Sequence, residues 1–104
     1  MERIEQLRQD VIAALCTIED PEIPINIYDL GLVYHLEITP DGMVTVRMTL
    51  TTPGCSVAQS FPEAIEMCVA RVPGVQGVHV EVVWEPQWSR EMMSEKGLWQ
   101  MELL

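Results

Sequence analysis

The stretch LVYHLEITPDGMVTVRMTLT, residues 32–51, decides the fold. Leu32, Tyr34, Leu36 and Ile38 alternate with Val33, His35, Glu37 and Thr39, and then Val44, Val46, Met48 and Leu50 alternate with Thr45, Arg47, Thr49 and Thr51. A period of two sends successive side chains to opposite faces of a strand, so each half is a strand with one face for a core. Thr39-Pro40-Asp41-Gly42 between them supplies turn chemistry. The stretch is a β-hairpin.

Upstream, Ile4, Leu7, Val11, Ala14, Leu15 and Ile18 fall at three- and four-residue steps and make one apolar face of an opening helix. Asp20-Pro21 is expected to end it, because proline disfavours helical geometry at the residue before it. Residues 21–31 follow as an ordered loop with two prolines and a glycine. Downstream, Thr52-Pro53-Gly54-Cys55 breaks the second strand, and Val57, Phe61, Ala64, Ile65, Cys68 and Val72 line one face of a second helix. Ser60-Phe61-Pro62-Glu63 has the form of a capping box with proline in the first turn, which leaves residues 56–59 as a separate turn. Val78, Val80, Val82 and Trp84 form a third strand, and its largely apolar character after a helical crossover places it in a sheet interior. One more short helix is expected from Ser89 to Lys96, ended by Gly97. The order α-β-β-α-β predicts a two-layer α/β (α+β) sandwich on a small mixed three-stranded sheet, a single domain over residues 1–104.

Composition bounds the function. The chain has 104 residues, of which 48% are hydrophobic, and 16 acidic residues stand against 6 Lys and Arg for a net charge of −10. Nucleic-acid binding needs clustered cations to displace phosphate counterions, and the few cations here are scattered. Nucleic acid and anionic membrane are therefore not expected partners. Three cysteines, Cys16, Cys55 and Cys68, are an odd number without framework spacing. With no basic flank and apolar run at the start, they point to a reduced, cytoplasmic compartment.

Two constellations carry chemistry. Cys55 stands just past a strand end and before helical turns, where backbone N–H groups and the helix dipole can stabilise a thiolate. The bland alternative is a small buried hydrophobe, and spacing alone favours it slightly. Cys16 and Cys68 sit on or beside apolar stripes and read as core. No CxxC pair occurs and neither His35 nor His79 adjoins a cysteine, so a closed zinc site within one chain is not expected. The second constellation is the loop from Asp20 to Gly31 (DPEIPINIYDLG), with three acids and an asparagine. Its carboxylates either cap and turn the backbone, as Asp20 and Asp29 commonly would, or orient a thiol, a metal or a partner. Patterning leaves both open.

Asp20 to Tyr34 (DPEIPINIYDLGLVY), Gly42 to Cys55 (GMVTVRMTLTTPGC) and Trp84 to Trp88 (WEPQW) closely resemble the SufT-like and PaaD-like metal–sulfur cluster biosynthesis family, in the family's order and over essentially the whole chain. The resemblance implies a fold similar to the C-terminal domain of NifU-type proteins and a part in maturing iron–sulfur proteins. It implies a reactive thiol at Cys55, with Asp20, Glu22, Thr51 and Thr52 lining a pocket around it and Ile23 packing beside it. Two departures stand out. Ser56 follows the cysteine where the family commonly has proline, and the additional C-terminal cysteines of PaaD-like members are absent, which favours a SufT-like role.

A cluster needs about four thiolate or equivalent ligands. No stably bound cofactor is expected. Either Cys55 holds an iron–sulfur cluster transiently, with a homodimer or partner protein completing the ligand set, or the chain docks assembly machinery to recipient proteins. Rival readings are a thiol enzyme with Cys55 as nucleophile, and a pure interaction module acting through Trp84 and Trp88, which flank Pro86 and otherwise cap the core.

Overall fold

The computed structural model describes residues 2–20, 22–51 and 57–103, and within these every side chain except those of residues 2, 3 and 57–59. Helix α1 spans Glu2–Leu15, strand β1 Val33–Ile38, strand β2 Met43–Met48, helix α2 Val57–Ala70 and strand β3 Gly77–Val82. A 3-10 turn at Arg90–Met92 and helix α3 at Glu95–Glu102 follow.

The three strands form one mixed sheet in the order β1-β2-β3. β1 pairs antiparallel with β2, with Leu36 opposite Val46 and Ile38 opposite Val44, and the register shifts between Val33 and His35. β2 pairs parallel with β3 from Met43–Gly77 to Met48–Val82, the geometry that the α2 crossover requires. One face of β2 is sealed: Val44, Val46 and Met48 are buried, whereas Met43 and Arg47 on the other face are exposed. Val11 and Leu15 of α1 and Ile65 and Val69 of α2 complete the same core with Ile25, Ile27, Leu30 and Leu32 of the long loop. Each such side chain contributes about 1.5–3 kcal/mol by leaving water. Helices thus cover one face of a small mixed sheet, the architecture expected from the alternating pattern.

Four local expectations are corrected. β3 is an edge strand; its apolar residues Val78, Val80 and Val82 are only half-buried, under α2, and do not mark a sheet interior. α1 stops at Leu15 and not at Asp20-Pro21. Residues 18–20 are pulled into extended pairing with the loop: Ile27 N–H donates to the Ile18 carbonyl at 2.8 Å, Asp20 N–H to the Ile25 carbonyl at 3.2 Å, and Glu19 bridges Asn26. α2 begins at Val57, so Ser60 does not cap it and Pro62 lies inside the helix, where it has no N–H to donate to the carbonyl four residues back. Gly97 does not end the last helix but lies buried in the first turn of α3, capped instead by Ser94.

Candidate functional site

The loop between α1 and β1 is built by its own polar side chains. Asp20 is 6% exposed. Its Oδ1 accepts hydrogen bonds from the backbone N–H groups of Glu22 at 2.8 Å and Ile23 at 3.0 Å, which turns the chain into a corner. A second knot follows. Asn26 Oδ1 accepts from Asp29 N–H at 2.8 Å, and Asn26 Nδ2 donates to Asp29 Oδ2 at 2.7 Å. The turn-forming reading of Asp20 and Asp29 therefore holds for both residues.

This loop sits at the end of the sheet where β2 runs out, because Thr49 N–H donates to the Leu32 carbonyl at 2.9 Å. Leu50 is buried there and Thr51 half-buried. Of the predicted site residues, the structure puts Asp20, Glu22 and Ile23 on one corner and Thr51 beyond the last residue of β2; Glu22 is exposed and Ile23 packs against the core. Thr52 and Cys55, and the departure at Ser56, lie outside the described residues.

The tail after β3 closes over the loop. Trp88 Nε1 donates to the Leu30 carbonyl at 2.6 Å, and Tyr34 donates its hydroxyl to the Pro86 carbonyl at 2.7 Å, beside Met92 Sδ at 3.4 Å. Ser94 Oγ donates to Asp29 Oδ1 at 2.7 Å, and Ser94 N–H donates to the Asp29 carbonyl at 2.9 Å. The same Ser94 oxygen accepts from Gly97 N–H at 3.0 Å and so caps α3. Two glycines permit the approach. Gly31 has φ +79° and any Cβ there would strike the Met92 backbone, and a Cβ on Gly97 would stand 2.6 Å from the Asp29 carbonyl oxygen. Trp88 caps the core as one reading of the WEPQW motif expects, whereas Trp84 stays 39% exposed. Asn26 and Asp29 belong to the acidic constellation singled out in the sequence, whereas Ser94, expected inside a short helix, carried no functional signal.

Burial pushes the Cys16 thiol above its ordinary 9.0; the Asp29 carboxylate adds to the shift and Lys96 opposes it. Burial likewise pushes the Tyr34 phenol above 10.0, with the Thr49 hydroxyl opposing and Glu85 adding. Thr49 Oγ1 itself is buried without a partner in hydrogen-bond geometry among the described residues. Cys68 Sγ lies 3.8 Å from the Ala14 carbonyl and 3.9 Å from Thr17 Oγ1, between α2 and the end of α1, as expected of a packing residue. Among the described residues no three His, Cys, Asp or Glu side chains converge as metal ligands. No described helix is long and apolar enough to cross a membrane.

The family profile described as iron-sulfur cluster assembly protein matches residues 8–82, from α1 to the end of β3. The chain belongs to the iron–sulfur cluster assembly family. Within that family it is SufT-like. It is 44% identical over 99 residues to an Fe-S protein maturation auxiliary factor of Porphyromonas gingivalis, covering 95% of this chain and 94% of that one. It is 40% identical over 75 residues to the Fe-S protein maturation auxiliary factor SufT of Staphylococcus aureus, covering 72% and 85%. Among solved structures, a domain of unknown function from Bacillus anthracis superposes with a TM-score of 0.87 at 31% identity, covering 96% of this chain and 95% of that one. The family's matched region includes the Asp20 corner and Asp29, whereas Pro86, Trp88, Met92 and Ser94 of the clasping tail lie beyond it.

Proposed function

We propose that this chain is a non-catalytic accessory factor of iron–sulfur cluster assembly, one domain acting in the reducing cytoplasm, that handles clusters transiently through Cys55 for delivery to recipient proteins. The observation that carries the reading is the join between Thr49 and Leu32. It joins the end of the acidic loop to the end of β2, from which the chain proceeds through Thr51 toward Cys55. The names of the relatives, maturation auxiliary factors, support the same role.

The chemistry is that of a shared ligand set. The Cys55 thiol gives up its proton and binds iron as thiolate, one of about four ligands a cluster requires. The remaining ligands come from a second copy, an assembly protein or a small thiol, which makes the cluster cargo and not a resident group. Asp20 and Glu22 then tune the thiol or contact iron, with Thr51 and Thr52 lining the pocket and Ile23 as apolar packing beside it.

Anaerobic reconstitution of the purified protein with iron and sulfide, beside Cys55→Ser, tests this. Wild type is expected to develop visible charge-transfer absorption at about one cluster per two chains, the arithmetic of a shared set, and the variant none. If neither binds iron and sulfide, cluster handling is wrong and docking of assembly machinery to recipients becomes the account. Turnover of a thioester or disulfide that vanished in Cys55→Ser would instead make the chain a thiol enzyme.

A further inference from the structure

The tail beyond β3 does more than cover the core. Asp29 is 8% exposed, and each of its polar atoms is engaged: Oδ2 by Asn26 Nδ2, Oδ1 by Ser94 Oγ, N–H by Asn26 Oδ1 and carbonyl by Ser94 N–H. Asn26 in turn lies opposite Glu19 in a bridge whose hydrogen bonds its neighbours make, Ile27 N–H to the Ile18 carbonyl at 2.8 Å and Asp20 N–H to the Ile25 carbonyl at 3.2 Å. The hydrogen bonds that join the cap of α3 through Ser94 and Asp29 to Asn26 therefore adjoin, through the paired backbone of residues 25–27 and 18–20, the corner whose shape Asp20 sets by accepting from Glu22 and Ile23. Ser94, with the Gly97 N–H it caps, comes from outside the family-matched segment 8–82.

We infer that Ser94 and Asp29 are positioning residues: the C-terminal tail, clasped through them, holds the Asp20–Ile23 corner in the geometry that cluster handling uses. Neither residue touches the cargo. The inference rests on the reading given under Proposed function, and it assigns the tail a role the family core alone does not supply. Physically, a buried carboxylate that loses a charge-assisted hydrogen bond regains it from water only by opening its surroundings. Without the Ser94 hydroxyl, Asp29 has to turn outward, and Asn26 and the Glu19 pairing move with it.

The test compares wild type with Ser94→Ala, which loses both the donor to Asp29 and the cap of α3, and Ser94→Thr, which keeps a hydroxyl. All three are studied in the full chain at a temperature where circular dichroism shows each fully folded. Amide exchange at Glu22 and Ile23 is followed by NMR, with β2 amides as the internal standard, and iron and sulfide uptake by the reconstitution above. Ser94→Ala is expected to speed exchange at the corner roughly tenfold, the scale of one buried hydrogen bond. Exchange in β2 stays level and uptake falls several-fold; Ser94→Thr restores both. A wild-type exchange rate at the corner in Ser94→Ala overturns the inference, and so does wild-type uptake despite a loosened corner. If wild type itself takes up nothing, it is the cluster-handling reading that falls, and the exchange data still decide whether the tail holds the corner.

Discussion

Asp29 works through every polar atom it has, and its carboxylate also reaches Cys16 at the end of α1. Burial, with that carboxylate, holds the Cys16 thiol neutral to higher pH in the folded protein than in the unfolded chain. Between the two pKa values the unfolded state has already lost a proton that the folded state keeps. Stability from this group is therefore fully present below the unfolded value and is lost as pH rises through the folded one. Unfolding free energy from urea titrations is expected to decline from about pH 9 upward, and Cys16→Ala should flatten the first part of that decline. Tyr34, shifted in the same direction, extends the fall to higher pH in both proteins. Parallel curves for wild type and Cys16→Ala would contradict the assignment.

Among the elements, α3 reverses an ordinary rule. Replacing glycine by alanine within a helix normally stabilises it by about 1 kcal/mol. At Gly97 the added Cβ would stand 2.6 Å from the Asp29 carbonyl oxygen and 3.1 Å from its carbon, a backbone group that cannot swing aside. Gly97→Ala is expected to cost about 1–3 kcal/mol, as overpacking does, read as a lower urea midpoint at unchanged m-value. A raised midpoint would mean that α3 does not dock as described. The same glycine shows where sequence reading ends. By propensity alone it is a helix terminator, because its reason for being small stands 68 positions away in the chain. α1 makes the same point: its apolar steps continue through Ile18, yet pairing with Ile27 ends the helix at Leu15. The hairpin was legible because its two strands and its turn are neighbours in sequence. β3 is legible as a strand from its alternating valines, but its edge position is not, since strand order depends on the whole topology. At the candidate site the turn chemistry of Asp20 and Asp29 was local and so readable, whereas Ser94 and the Trp88 bond to Leu30 required the fold.

At the scale of the molecule, 16 acidic residues against 6 Lys and Arg leave a surface that repels itself. The close contacts of opposite-charge type among the described residues do little against this: Arg47–Glu81 is 3.7 Å apart and faces solvent, and the His35–Glu37 contact, also 3.7 Å and exposed, is an ion pair only when the imidazole is protonated. Screening should therefore help the fold. Raising NaCl from about 0.05 to 0.5 M shortens the Debye length severalfold and is expected to raise the urea midpoint. A midpoint that falls with salt would show attraction, not repulsion, to dominate the surface. The arrangement also has a consequence in time. Ser94 reaches Asp29 across 65 positions and Trp88 reaches Leu30 across 58, whereas β1 and β2 close through a single turn. On a ribosome the hairpin can settle while the tail is still inside the exit tunnel, since local contacts form before distant ones. The acidic corner takes its final shape only after Ser94 has emerged, so a half-made chain does not yet present it to anything passing by.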